Sequence, residues 1–119
     1  MDEQRATGFA EEWIDAWNRH DLDAIIGHYA ADVEFTSPFV QNLLGDPAGR
    51  IRGRDALKEY FRKGLQAYPN LRFDLRHTLA GVGSVTLVYQ SVNGLLAAEV
   101  MVFDADGLVR TVRAHYGKG

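Results

Sequence analysis

"WIDAWNRHDLDAIIGHYAADVEFTSP", residues Trp13 to Pro38, decides how this chain folds. Leading into it, Phe9, Trp13 and Trp17 recur every fourth residue beside Ala6, Ala10 and Ile14, while Glu11, Glu12 and Asp15 fall elsewhere. That spacing predicts a helix over residues 6–18 with one apolar stripe. Asn18 and His20 interrupt it, and Asp21 is suited to cap a second helix whose stripe is Leu22, Ile25, Ile26 and Tyr29. The period then drops to two. Val33, Phe35, Ser37 and Phe39 fall on one face of a strand, with Glu34 and Thr36 on the other.

Further along, a third helix is predicted from Gly53 or Arg54 to about Gln66, with Asp55 in its first turn, where the helix dipole favours an anion. Its apolar face is Leu57, Tyr60, Phe61 and Leu65. Residues 40–53, with three glycines, a proline and no clear period, read as a loop, and a loop that long in a small domain is often functional. Strand patterns fill the rest. Leu71, Phe73, Leu75, His77 and Leu79 alternate with Arg72, Asp74, Arg76 and Thr78, and Gly81 and Gly83 mark a turn. Residues 85–92 and 96–103 flank Asn93-Gly94, a tight-hairpin signal, and Asp104 to Gly107 turns into a last strand over 108–116. The predicted order is ααβαββββ, an α+β fold with a four-strand antiparallel meander.

At 119 residues the chain is expected to form a single domain, 1–119, large enough for a core and a pocket. Without cysteine it has no disulfide, thiolate metal site or cysteine nucleophile. A net charge of −3 and no Lys/Arg run argue against nucleic acid or an anionic membrane as partner. The opening MDEQRATGF lacks the pattern of a signal peptide, and no apolar run approaches the roughly 20 residues of a membrane span. A cytoplasmic protein is the expectation.

The opening stretch, then "GRDALKEYF" (Gly53–Phe61) and the closing "FDADGLVRTVRAHYG" (Phe103–Gly117), resemble the nuclear transport factor 2-like superfamily in its SnoaL-like and ketosteroid-isomerase-like branch. The resemblance covers nearly the whole chain and implies a cone: a curved sheet wrapped around three helices, enclosing a pocket. It also implies a homodimer through the outer sheet face. Rigid rings can prop such a pocket open, so Trp13, Trp17, Tyr29, Phe35, Phe39, Tyr60, Phe61, Phe73 and Tyr116 are expected as lining, with Ser37, Met101, Val112 and Ala114 beside them. The same rings would also serve as plain core, and the two roles are compatible.

Ketosteroid isomerases carry a tyrosine on the first helix, an aspartate base at the end of the first strand and a protonated aspartate on a later strand. Carried over onto this chain, these positions are Trp13, Ser37 and Glu99. Indole donates but cannot accept a proton, and an unassisted serine has no useful basicity, so true ketosteroid isomerisation is not expected. Glu99 survives as a carboxyl in the apolar run LLAAEVMVF. Turned inward it would be desolvated and its pKa raised, fitting it for acid–base work; turned outward it would be solvated or bridged to arginine. A two-residue Asn93-Gly94 turn would set Glu99 opposite Val88, with Gln90 and Thr86 on its face; a three-residue bulged turn would bring Tyr89 inward instead. The sequence leaves both open, with Val88 and Gln90 taken as lining. His77, on the face of Leu75 and Leu79, is expected inward as a second acid–base candidate or a core histidine.

No HExxH or paired-histidine motif offers a metal site, and no cofactor is expected. Two functions follow. One is a cofactor-independent isomerase, cyclase or hydrolase acting on a small hydrophobic carbonyl or ring compound. The other is a non-catalytic ligand-binding or accessory protein of the same fold.

Overall fold

The computed structural model describes residues 1–119. Helix α1 (Glu3–Asn18) starts at Asp2, whose side chain accepts from the Arg5 amide, and it buries Ala6, Ala10, Trp13, Ala16 and Trp17. The short α2 (Leu22–Ile26) begins at Asp21, which accepts from the Ala24 amide. Both caps satisfy an amide that the first helical turn leaves free. Next come β1 (Tyr29–Thr36), α3 (Pro38–Leu44), β2 (Arg50–Arg52) and α4 (Arg54–Ala67). Four strands follow: β3 (Asp74–Gly81), β4 (Ser84–Gln90), β5 (Leu95–Phe103) and β6 (Val109–Lys118).

The six strands make one curved, open sheet in the order β2-β1-β6-β5-β4-β3. All neighbours are antiparallel except β1 and β6, which run parallel. The helices lie in the N-terminal half and pack on the inner face. Trp13, 1% exposed, anchors that packing: its ring stacks on Phe73 at 5.9 Å, and its indole N–H donates to the Tyr29 hydroxyl at 3.0 Å. Truncating a tryptophan so enclosed costs about 3–5 kcal/mol. Asn18 fastens the end of α1 to the chain ahead of β3, its amide donating to the Phe73 carbonyl and its oxygen accepting from the Phe73 amide.

Four expectations need correction. The segment 40–53 is no plain loop, because Ser37 caps α3 by accepting from the Phe39 amide, Pro38 opens that helix, and Arg50–Arg52 pairs with β1. Gly49 makes the return possible: its φ is +62°, and a Cβ there would lie 2.9 Å from the Ser37 carbonyl oxygen. Tyr29 opens β1 and does not close a helix, and Phe39 sits on α3 and not on a strand. Finally, β3 carries an irregularity between Leu75, opposite Tyr89, and His77, opposite Val88. One extra residue reverses the alternation, so His77 and Leu79 emerge exposed on the outer face.

A tyrosine-ringed carboxyl in an apolar hollow

Between α4, α3 and the inner face of the sheet lies a hollow of about 380 Å³. Half of its 18 lining residues are aromatic, among them Trp17, Phe35, Phe39, Phe61 and Phe73. Their rings brace one another, with Trp17 against Phe61 at 4.8 Å and Phe39 against Tyr116 at 4.4 Å. Leu43 and Leu44, exposed by 71% and 53%, stand on α3 in the same lining, with Lys63, Gly64 and Ala67 from α4.

Glu99 is the one acid in this lining and is only 4% exposed. Its inward orientation follows from the hairpin between β4 and β5. Val92, Asn93 and Gly94 form a three-residue turn, closed by the Ser91 amide donating to the Leu95 carbonyl. Gln90 then pairs with Leu96 and Leu87 with Glu99, so Leu87, Tyr89 and Glu99 share the inner face. Val88 and Gln90 are displaced to the outer face by that same parity, and they do not line the hollow. The extra turn residue is the physical reason.

Tyr89, fully buried and packed on Phe73 at 4.6 Å, donates its hydroxyl to Glu99 Oε2. Glu99 Oε1 has no protein partner and is not among the interior polar atoms sealed from solvent, so it faces the open hollow. Burial pushes the Glu99 carboxyl up to about 7, and the Tyr89 hydrogen bond only partly offsets it. Four phenols feel the charge of this group. Tyr29, Tyr89 and Tyr116 are held well above the usual tyrosine range by burial first and by the Glu99 charge second, and Tyr60 is pushed up to about 12 for the same reasons. All four are therefore neutral hydroxyls, able to donate hydrogen bonds. Tyr60, Tyr89 and Tyr116 line the hollow. Among side-chain polar atoms sealed from solvent, the Trp17 indole nitrogen alone lacks a partner.

Thus the structure brings Trp17, Phe35, Phe39, Tyr60, Phe61, Phe73, Glu99 and Tyr116 together around one space. Trp13, Tyr29, Met101, Val112 and Ala114 are buried in the wall behind it, and Ser37 is buried at the start of α3. His77 stands on the opposite side of the sheet and takes no part. Sequence reasoning missed Leu43, Leu44, Tyr68, Ser91 and Val92, which belong to turns and helix ends with no period to read, and Lys63, a charged residue of α4 outside its apolar stripe. No three His, Asp or Glu side chains converge as metal ligands would. No helix is long and apolar enough to cross a membrane.

The fold recurs in solved structures. A SnoaL-like protein of unknown function from Burkholderia thailandensis is 44% identical, with 98% of each chain covered and a TM-score of 0.95. A candidate ketosteroid isomerase from Kribbella flavida is 19% identical over 98% of this chain and 80% of its own, with a TM-score of 0.72. AclR, a candidate hydroxylase from Streptomyces galilaeus, is 20% identical over 98% of this chain and 91% of its own, with a TM-score of 0.75. At such identities the last two speak for the fold alone. The SnoaL-like domain family matches residues 10–115, nearly the whole chain, and this protein belongs to that family.

Proposed function

We propose that this chain is a cytoplasmic, cofactor-independent acid–base catalyst acting on a small hydrophobic carbonyl or ring compound, with Glu99 as the group that moves the proton. One observation carries the reading: Glu99 Oε1 is unpartnered and open to an apolar, aromatic-walled space. Near neutral pH a carboxyl poised at about 7 is present in both protonation states, the condition for efficient general base and general acid catalysis. In the ionised form Oε1 removes a proton from the carbon next to a bound carbonyl. The C–H pair moves into the enolate, whose oxygen receives hydrogen bonds from the neutral phenols of Tyr60 or Tyr116. Glu99 then returns the proton at a conjugated carbon, so the isomerisation balances without oxidant or co-reactant.

The test is proton exchange. A panel of hydrophobic enones and cyclic ketones is incubated in D₂O, and deuterium entry beside the carbonyl is followed by NMR. Exchange above the buffer rate is expected for some members, with Glu99→Gln slowing it by about 10²–10⁴-fold. Exchange that survives the substitution unchanged refutes the assignment.

A non-catalytic binding role is favoured by a separate observation. Of the three positions carried over from ketosteroid isomerases, Trp13 is committed to Tyr29 and the Ser37 oxygen to the Phe39 amide. Ligands that raise the melting temperature without any exchange would support this reading. In either case we infer a homodimer through the outer sheet face. Supporting it, Val88, Ala98 and Val102 are only half-covered there, and Leu79 and Val100 are exposed. Sedimentation should give a dimer that Val100→Lys dissociates; a monomeric wild-type protein would refute it.

A further inference from the structure

Every lysine or arginine that forms an ion pair in this protein does so on its surface, and Glu99 takes part in none of those pairs. Its cross-strand neighbours are Leu87 and Ala114, Tyr89 is its hydrogen-bond partner, and the hollow it faces is walled mainly by aromatic rings. A carboxylate in such a place has shed most of its water and gained no countercharge, and ion-pairing is the ordinary way a buried charge is matched. Aromatic rings carry electron-rich faces, which attract cations and most strongly those stripped of water. Two independent features of one space therefore favour the same kind of guest.

We propose that the hollow binds hydrophobic primary or secondary amines as their ammonium ions, the N–H groups donating to Glu99 Oε1 and the apolar body lying among Trp17, Phe61, Phe73 and Tyr116. The ammonium supplies the missing countercharge, and its remaining hydrogens face ring surfaces. This goes beyond the acid–base reading and adds a ligand class that the ionised carboxyl selects. The titratable groups that feel the Glu99 charge are Tyr29 from β1, Tyr60 from α4, Tyr89 from β4 and Tyr116 from β6, all phenols held neutral. The one base in the lining is Lys63, on exposed α4 surface, and it opposes a cation only weakly through solvent.

Three probes of matched size distinguish the possibilities by calorimetry on the intact protein: 2-phenylethylamine, 2-phenylethanol and phenylacetate. At pH 8 the amine should bind at least tenfold tighter than the alcohol, and phenylacetate weakest. In Glu99→Gln that preference should vanish while binding of the alcohol persists. As pH falls from 8 to 5.5 the amine preference should be lost with protonation of Glu99. Equal or weaker binding of the amine at pH 8, preferential binding of phenylacetate, or no binding by any probe overturns the proposal. Should the amine preference persist unchanged to pH 5.5, Glu99 is ionised there, and the acid–base reading fails while the amine site stands. If no amine preference appears but Glu99→Gln still abolishes proton exchange, the amine site fails alone.

Discussion

Replacing Glu99 by glutamine should remove a loss of stability that the natural chain suffers as pH rises from 4.5 to about 7. The Glu99 carboxyl rises from 4.5 to about 7 on folding, because burial disfavours its charge. Below pH 4.5 it is neutral folded or unfolded, so it adds no pH dependence. Between the two values the folded state holds a proton that the unfolded chain has released, so stability falls as pH rises. Above about 7 both states are ionised and the penalty is constant. At about 1.4 kcal/mol per pH unit, the full penalty is about 3 kcal/mol. The Glu99→Gln variant has no such term, whatever constant cost or gain the amide brings through its own hydrogen bonds. The assay is urea unfolding of both proteins at half-unit steps from pH 4 to 9, with the difference in unfolding free energy plotted against pH. That difference should climb by about 3 kcal/mol in favour of the variant and level off near pH 7.5. A flat difference, or a climb confined to pH 4–5, would mean that Glu99 keeps an ordinary carboxylate pKa. The setting of Glu99 would then be neither dry nor unpaired.

Tyr89→Phe removes the one hydrogen bond that favours the Glu99 charge, so the titration midpoint of Glu99 should move up by about one unit, followed by ¹³C NMR of its side-chain carboxyl. A midpoint that stays put or falls would show that Tyr89 does not hold the group. Asn18→Ala leaves the Phe73 amide and carbonyl without their partner, at a cost of about 2–3 kcal/mol in urea unfolding; a loss below about 0.5 kcal/mol would refute the anchor.

Much of this was legible in the residues. The four-residue spacing of Phe9, Trp13 and Trp17 marks α1, the Asp21 cap starts α2 one residue later, and the alternation around Phe35 belongs to β1. The inward face of Glu99 was not legible, because it depends on whether Asn93-Gly94 turns with two residues or three. Both residues adopt positive φ, as the dipeptide suggests, yet Val92 joins the turn and shifts every later partner by one. His77 failed for a related reason: its strand alternates cleanly in sequence, and the irregularity after Leu75 leaves no mark in residue type. Segment 40–53 looked like a loop because α3 spans only Pro38–Leu44 and β2 only Arg50–Arg52, each too short to establish a period.

The parallel pairing of β1 with β6 sets a rule for how the protein can be made. Tyr29 and Phe35 meet Val109 and Val112 across about two-thirds of the polypeptide, and the carboxyl-bearing strand lies between β6 and β4. A nascent chain that has released only its helices has therefore no wall against which to shelter Trp13, Trp17 or Phe61. Those rings stay uncovered until the last strands leave the ribosome and zip alongside the first. Such distant closure is slow, and it exposes sticky surface meanwhile. Truncations near the C-terminus should thus yield aggregates rather than a smaller working protein.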